Sequence, residues 1–379
     1  MVSEFVKTVA PSATISLLEK ENELKAKGKK IISFSLGEPD FTTPLPVLKY
    51  ACDEMFSGKT HYTPSSGILE LREKIAEKYK KDNNVEASYK NVLVTPTKFA
   101  LYISYLTLLN PGDEILLPDP GWVSYIEMAH LVGARPVLYS LDDDFQINED
   151  DLKNKINNKT KAILINTPSN PTGSILTINS LKVIRDLAID KNLYIISDEI
   201  YEKLIFEGSH ISIASMDDMF YRTITVNGFS KSHAMTGLRI GYLIASIDLI
   251  KYMDNVQQHT LTCAPSFSQY AAIKALDDNE DSKKMTDEFK KRRDLIYNGL
   301  KNISIFSVKK PNATFYIFPK YSFRNFNSME MANFILDELN ISVVPGIAFG
   351  PSGENHLRFS FSTSEENIKE GIERLQKLI

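Results

Sequence analysis

The chain has 379 residues, a length that suits two domains, or one large α/β domain with a smaller companion. Apolar residues make up 43%, charged residues 24%, and the net charge is −4, which excludes the basic surface of a nucleic-acid-binding protein. The two cysteines are far apart, and no run approaches the roughly 18 apolar residues of a membrane span. We therefore predict a cytoplasmic protein without a disulfide framework and without a membrane partner.

Short β-branched runs alternate with longer segments of helical period through the middle of the chain. The predicted strands are 92–95, 114–118, 137–140, 162–166, 193–197, 223–226 and 240–245. The predicted helices between them are 98–109, 122–133, 177–191 and 247–260. This alternation predicts an α/β fold whose mostly parallel sheet is flanked by helices.

The two ends of the chain have a different pattern. Residues 12–27 predict an amphipathic helix. From about residue 280, charged helices alternate with short strands: the helices are predicted at 282–302, 328–339 and 364–378, the strands near 313–318, 341–344 and 356–361. We therefore predict a large domain at 47–275 and a smaller α/β domain built from residues 1–46 and 276–379.

Polar and aromatic residues follow the predicted strands where the strands end. In chain order these tails read PTK (96–98), DPGW (119–122), TPSNPTG (167–173), DEIY (198–201) and NGFSKS (227–232). The carboxyl ends of parallel strands meet at one edge of the sheet, where such folds bind ligands. The sequence therefore predicts a site that gathers a lysine, an aspartate, a tyrosine, an asparagine and the only tryptophan of the chain.

Lys231 is the candidate nucleophile of this site. A lysine amine forms Schiff bases when its pKa is lowered, although an ordinary exposed loop lysine is the alternative. Arg239, in a glycine-flanked segment, suits a phosphate, as do the free backbone N–H groups at the helix start near residues 95–98. Asp198 emerges from a buried strand and is suited either to a protonated pyridine nitrogen or to the cap of a helix.

Three further residues complete the pattern. Tyr201 is suited to a phenolate oxygen, Asn170 to a directed hydrogen bond from a stiff turn, and Trp122 to stacking on an aromatic ring. Their alternatives are a core tyrosine, an ordinary turn and packing at a helix start. Together the residues offer an amine, an anion, donors, a stacking face and phosphate clamps. This set complements pyridoxal 5'-phosphate, which we predict as the cofactor.

The order of the motifs resembles that of the class I/II aminotransferases of fold type I, most closely the prokaryotic aspartate aminotransferase branch. The likeness runs from PSAT at 11–14 to LRFSFS at 357–362. It includes SLGEPDFTTP, HYTPSSGILELRE, PGWVSYIEM, SNPTG, SDEIYEKLIFEG and SKSHAMTGLRIGY. Several motifs in a fixed order are far more specific than any one of them.

The resemblance implies a role for each matching residue. It implies that the catalytic residues are Lys231, which holds the cofactor as a Schiff base, Asp198, which pairs with its ring nitrogen, and Tyr201. The implied cofactor-binding residues are Thr97, Lys98, Trp122, Asn170, Asp198, Tyr201, Ser230, Lys231, Arg239 and, from the neighbouring subunit, Tyr62. The implied substrate-binding residues are Gly37, Lys98, Trp122, Asn170 and Arg358, with Arg358 on the α-carboxylate. A tyrosine supplied by the neighbour implies a homodimer with shared active sites.

Two places depart from the family pattern. Pro96-Thr97 stands where many relatives have Gly-Gly, and because proline has no N–H, one donor to the phosphate is lost unless the Thr97 hydroxyl replaces it. Gly228 stands where many relatives have a serine, and Ser230 is the candidate substitute.

The predicted reaction is transamination from an amino acid, with aspartate favoured and aromatic amino acids as further donors, to a 2-keto acid such as 2-oxoglutarate. Lys98 matches a lysine that reads the distal carboxylate in some relatives, and a solvated helix-start lysine is the alternative. The rival activity is that of a C–S lyase or aminocyclopropane-carboxylate synthase of the same fold. SGKT at 57–60 lacks the glycine of a P-loop, and the six histidines lack metal-site spacing, so neither a nucleotide nor a metal site is predicted.

Overall fold

The computed structural model describes residues 7, 9–10 and 13–378. The elements within residues 13–378 begin with helix α1 (Ala13–Ala26) and the short strand β1 (Ile32–Ser33). The central sheet of seven strands consists of β2 (Val92–Thr95), β3 (Glu114–Asp119), β4 (Arg135–Ser140), β5 (Thr160–Asn166), β6 (Tyr194–Asp198), β7 (Thr223–Gly228) and β8 (Gly241–Ile244).

The central sheet has the order β2-β8-β7-β6-β5-β3-β4. Strand β8 is antiparallel to β2 and β7, and the other neighbouring strands are parallel. The predicted mostly parallel sheet is therefore confirmed. Because β8 runs in the opposite direction, its first residue, Gly241, pairs with Gly228 at the end of β7. Arg239, just before β8, consequently lies at the same edge as the carboxyl ends of the parallel strands.

Helices cover both faces of the central sheet. They are α2 (Leu45–Phe56), α3 (Leu69–Asn83), α4 (Thr97–Leu108), α5 (Ser124–Leu131), α6 (Glu149–Lys155), α7 (Ile178–Asp190), α8 (Ile247–Gln258) and α9 (Ser266–Asp277). Successive strand residues point to opposite faces, so Ile196 packs with α4 and α5 while Ile195 packs with α7. Burial on both faces explains why these strands read as continuous apolar runs.

Both ends of the chain contribute to one further core. Its strands are β9 (Phe306–Ser307), β10 (Tyr316–Ile317), β11 (Lys320–Tyr321), β12 (Ile341–Ser342), β13 (Val344–Pro345) and β14 (Leu357–Ser360), and its helices are α10 (Asn279–Lys301), α11 (Ser328–Leu339) and α12 (Glu365–Leu375). Strand β1 pairs in parallel with β12, and Phe34 packs with Phe289 and Phe359. The three-stranded antiparallel sheet β10-β14-β13 is the part that faces the candidate site.

Most predicted elements are found within a few residues of their predicted bounds. The helix predicted at 12–27 is found at Ala13–Ala26, with residue 12 outside the described residues. The strand predicted near 313–318 is shorter and covers only Tyr316–Ile317. None of the helices in the described ranges is both long enough and apolar enough to cross a lipid bilayer.

Candidate active site

A cavity of about 400 Å³ opens at the carboxyl edge of the central sheet, where it meets the β10-β14-β13 sheet. The predicted site residues that line it are Gly37, Thr97, Lys98, Trp122, Asn170, Asp198, Tyr201, Ser230, Lys231, Arg239 and Arg358. The exception is Tyr62, which is 87% exposed and lies outside the cavity. The folded chain therefore brings together residues from tails of five strands and from both chain ends.

Lys231 lies in the loop after β7, with its amine inside the cavity. Its Nζ donates a hydrogen bond to the carbonyl oxygen of Gly37 at 2.6 Å. No carboxylate among the described residues lies within ion-pair distance of this amine. Its removal from water lowers the pKa of Lys231 to about 8; Glu38 opposes the shift, and Arg358 and Arg239 reinforce it. Near neutral pH, Lys231 is therefore a far better nucleophile than an ordinary lysine.

Asp198 is the last residue of β6 and is only 3% exposed. Its Oδ2 accepts from the Tyr125 hydroxyl at 2.7 Å, and its Oδ1 accepts from the backbone N–H of Ile200 at 3.2 Å. Burial raises the pKa of Asp198 to about 6 in spite of these bonds. Residues 200–203 form a turn, so Asp198 does not cap an α-helix. The buried carboxylate thus suits a cationic ligand group.

Arg358, in β14, is 2% exposed. Its guanidinium donates to Asn170 Oδ1 at 3.1 Å and to the carbonyl oxygen of Ser35 at 2.9 Å. Its Nε is buried and has no hydrogen-bond partner within the described chain. A buried guanidinium held only by neutral acceptors is suited to a carboxylate ligand. Tyr201 lies near it, with its hydroxyl oxygen 3.1 Å from that of Tyr316.

Thr97 occupies the region where the sequence departs from the family pattern. A Cβ added to Gly228 would lie 2.5 Å from Thr97 Oγ1, and one added to Gly241 would lie 2.2 Å from it. The Thr97 side chain therefore fills the space that a larger residue at position 228 would need. The two departures noted in the sequence are coupled, because Thr97 requires glycine opposite it.

The cavity wall carries an excess of positive charge. Four cationic side chains line it, Lys98, Lys231, Arg239 and Arg358, against the two carboxylates Glu38 and Asp198. Lys98 Nζ lies 4.8 Å from the centre of the Trp122 ring, and the pKa of Lys98 is lowered by burial and by Arg239. Arg239 donates to the carbonyl oxygen of Thr236 at 2.8 Å. This arrangement complements a ligand that bears several negative charges.

Tyr125 and Tyr316 belong to the site but were not predicted. Tyr125 comes three residues after Trp122, inside the quoted PGWVSYIEM motif, so the spacing of one helical turn was an available signal. Tyr316 comes from β10 and contacts Tyr201 across 115 positions of sequence. A contact over that separation leaves no local pattern in the sequence.

A family model described as Aminotransferase class I and II matches residues 29–375. The chain belongs to this family. The aspartate aminotransferase of Pyrococcus abyssi is 42% identical to this aminotransferase, with 96% of this chain and 95% of that one covered. The aromatic-amino-acid aminotransferase 2 of Thermococcus litoralis is 39% identical, with 100% and 98% covered. The solved structure of Thermus thermophilus aspartate aminotransferase with maleate has a TM-score of 0.95 at 34% identity and covers 100% of both chains.

These similarities confirm the predicted family, fold and enzyme class. Relatives named for aspartate and for aromatic amino acids both match nearly the whole aminotransferase chain, and the rival lyase activity is not favoured. Enzymes of this family depend on pyridoxal 5'-phosphate.

Proposed function

We propose that this aminotransferase transfers the α-amino group of aspartate to 2-oxoglutarate, accepts aromatic amino acids as further donors, and uses pyridoxal 5'-phosphate held by Lys231. The observation that carries the substrate proposal is a pair of separate cations in the cavity, Arg358 and Lys98, neither of which has an acidic partner in the described residues. Aspartate and 2-oxoglutarate each bear two carboxylates, one for each cation. The Trp122 ring beside Lys98 gives an aromatic side chain an apolar surface.

The cavity residues fit the cofactor. When bound, pyridoxal 5'-phosphate supplies an aldehyde that bonds to amines and a ring that accepts electrons. Lys231 would hold the aldehyde carbon, and Asp198 the protonated ring nitrogen, because its buried carboxylate has only neutral partners. Asn170 and Tyr201 would hold the ring oxygen, and Trp122 would cover the ring. Arg239, Ser230 and Thr97 would form the phosphate end, where Pro96 cannot donate.

In this proposal the chain's own groups orient the substrate and move its proton. Arg358 binds the α-carboxylate beside the backbone of Gly37, and Lys98 binds the distal carboxylate. Lys231 Nζ, once released, takes the proton from the substrate Cα as the general base. A lysine pKa of about 8 suits this step, because an effective base has a pKa near the working pH. Tyr125 fixes the Asp198 carboxylate through its hydroxyl.

We further propose a homodimer in which Tyr62 completes the partner's site. Tyr62 is 87% and Phe56 92% exposed, an unusual state for two large aromatic residues. The Tyr62 loop is anchored by Gln269, whose Nε2 donates to Thr63 Oγ1 at 2.8 Å. An open apolar groove adjoins the cavity and shares Lys98 and Arg239 with it. These features support an interface that closes the phosphate end of each site.

The arrangement of the apolar clusters supports the proposed division into a large domain at 47–275 and a small one from 1–46 and 276–379. Most residues of one apolar cluster come from the first and last parts of the chain, joined by Ile200, Tyr201, Leu204 and Phe206 from the middle part, whereas the central sheet packs in other clusters. A cytoplasmic location remains part of the proposal and is supported by free cysteines at positions 52 and 263.

The experiment that tests the substrate proposal is an amino-donor panel with 2-oxoglutarate as acceptor. The variant is Lys98→Ala, and the matched control is Lys251→Ala, which removes an exposed lysine of α8. We expect kcat/KM for aspartate to fall roughly 10- to 100-fold more than that for phenylalanine, because a charged hydrogen bond to the distal carboxylate is lost. Equal losses for both donors would remove Lys98 from the substrate-binding set.

A further inference from the structure

Tyr316 occupies the junction of the cavity's main functional groups. It is 1% exposed and lies in β10, directly opposite Ser360 of the antiparallel strand β14. Arg358 is two residues from Ser360 on β14, so its side chain is the diagonal neighbour of Tyr316 on the same face of the sheet. The small sheet therefore delivers both side chains to the cavity as one unit.

The ring of Tyr316 supports the Arg358 guanidinium. Arg358 Cζ lies 4.4 Å from the centre of the Tyr316 ring, and the Phe349 ring lies 5.0 Å from the same atom. A buried cation gains more from an aromatic face than an exposed one, because no water competes for it. Only two neutral oxygens, on Asn170 and Ser35, accept from this guanidinium within the described residues, so the ring contact is a main part of its support.

The hydroxyl of Tyr316 is hydrogen-bonded to that of Tyr201. The two hydroxyl oxygens are 3.1 Å apart, and either can be the donor. Each phenol has a single proton. If Tyr201 is to donate into the cavity, Tyr316 must donate to the Tyr201 oxygen. The pair then forms a chain of two hydrogen bonds, in which the first strengthens the second.

The hydroxyl of Tyr316 also lies beside the segment that holds the amine. A Cβ on Gly37 would lie 3.4 Å from the Tyr316 oxygen, and the carbonyl oxygen of Gly37 accepts from Lys231 Nζ. The charged groups that face Tyr316 are Arg358 and Glu38, and the Tyr201 phenol is its other titratable neighbour. Tyr316 thus contacts the carboxylate-binding arginine and the ring-oxygen donor, and it lies beside the backbone that holds Lys231.

We infer that Tyr316 is a positioning residue for transamination: its ring fixes Arg358 for the substrate carboxylate, and its hydroxyl directs the Tyr201 proton towards the cofactor's ring oxygen. The inference rests on the proposed function of the site. Ring and hydroxyl perform separate tasks, so two substitutions separate them.

The test uses the full-length protein loaded with pyridoxal 5'-phosphate and two variants, Tyr316→Phe and Tyr316→Leu. Tyr321→Phe is the matched control, because Tyr321 is buried in the same part of the chain and donates only to the carbonyl oxygen of Phe326, away from the cavity. Calorimetry with succinate measures the carboxylate site. A pH titration of the visible absorbance measures the environment of the ring oxygen.

In Tyr316→Phe we expect the absorbance pKa to rise by about half a pH unit, because Tyr201 becomes a weaker donor to the negative ring oxygen. The succinate Kd should stay within about twofold of the wild-type value, since the ring remains. In Tyr316→Leu we expect the succinate Kd to rise roughly tenfold or more, with a higher KM for both substrates. The Tyr321→Phe control should match the wild type in both measurements.

An absorbance pKa in Tyr316→Phe equal to that of the wild type would overturn the inference, and so would an unchanged succinate Kd in a folded Tyr316→Leu protein. If Tyr316→Leu does not fold, the Tyr316→Phe titration decides. A wild-type protein that binds no pyridoxal 5'-phosphate would instead refute the proposed function, so the two failures are distinguishable.

Discussion

Asp198 and Glu199 are consecutive buried carboxylates that belong to two different regions of the molecule. Asp198 lines the cavity, and both of its hydrogen-bond donors, Tyr125 and Ile200, are neutral. Glu199 accepts from the hydroxyls of Ser197 and Ser212, both at 2.8 Å, and its other oxygen lies 3.0 Å from Nε2 of His210. Among the described residues, Asp198 therefore has no basic side chain within ion-pair distance, whereas Glu199 faces the His210 imidazole.

Glu199 belongs to a rear cluster formed by Lys78, Asn83, Glu199, Glu202 and His210. Glu202 contacts the Lys78 ammonium and accepts from Asn83 Nδ2 at 2.9 Å. Burial opposes charge on Glu202, yet Lys78 and His210 hold its pKa lower, at about 2. Burial likewise opposes charge on His210, but Glu199 raises its pKa. The carboxylate oxygens of Glu199 and Glu202 and the ring nitrogen of His210 are atoms of the kind that bind metal ions, and they lie within 4.8 Å of one another. The Lys78 ammonium already balances the negative charge of Glu202 there.

The comparison teaches that charge pairing distinguishes a structural lysine from a reactive one. Lys78 and Lys231 are both partly buried, and the amine of each is held inside the protein. Lys78 has a carboxylate partner, whereas the hydrogen-bond partner of the Lys231 amine within residues 13–378 is a carbonyl oxygen. Burial lowers the pKa of both amines, but the Glu202 carboxylate opposes that shift at Lys78 and also occupies its ammonium. The Lys231 amine is not paired in this way, which leaves it available for covalent chemistry.

Replacement of Lys231 should have the largest effect. Lys231→Ala removes the amine that we propose as both cofactor anchor and base, so we expect turnover to fall by at least about 10⁴-fold. The purified variant should also lose the covalently attached chromophore. Steady-state kinetics and absorbance spectra measure the two losses. Unchanged turnover would remove Lys231 from the catalytic set.

Replacement of Lys78 should affect stability instead. Lys78→Met leaves the buried Glu202 carboxylate without its ammonium partner, so we expect the free energy of unfolding to fall by about 3–5 kcal/mol, measured by urea denaturation. The double variant Lys78→Met/Glu202→Leu should recover much of this loss. The chromophore should still form in the folded variant. A stable Lys78→Met protein without a chromophore would assign Lys78 to the cofactor site.

The pH dependence of the acylation rate at Lys231 is a further test of the unpaired amine, and we expect it to show a smaller effect than the two substitutions. Only the neutral amine reacts, so the rate at Lys231 in the cofactor-free protein should rise with pH, with an inflection near 8, and level off above it. The same lysine in the denatured chain should show its inflection near the ordinary value of about 10.4. Peptide mass spectrometry after timed acylation measures both rates. An inflection for Lys231 in the folded protein close to that in the denatured chain would contradict the proposed environment.

The sequence predicted the central sheet well because its strands are buried on both faces and read as apolar runs. It missed helix α2, which begins just after Pro44 and carries Pro46 in its first turn; proline is tolerated there, but the segment reads as a turn. It also missed α9, which follows Pro265 and is rich in small residues. In both helices, packing against the rest of the molecule outweighs the local signal.

The candidate site was predictable where residues follow parallel strands, since those strand ends must share one edge. Lys231, Asp198 and Asn170 are of this kind, and all three line the cavity. Tyr316 was not predictable, because its position depends on the pairing of β10 with β14. The role of Tyr62 stays a prediction, since it depends on a second chain. The coupling of Thr97 to Gly228 was not predictable either, because it depends on how closely the two residues approach in the folded chain.

The most direct test of the central claim is hydride trapping of the cofactor on the protein. The protein is loaded with pyridoxal 5'-phosphate, reduced with borohydride, digested and mapped by mass spectrometry. We predict one stoichiometric pyridoxyl label on Lys231, with Lys78 unlabelled. A colourless protein, or a label on another lysine while Lys231 stays unmodified, would contradict the claim that the unpaired amine is the one that reacts.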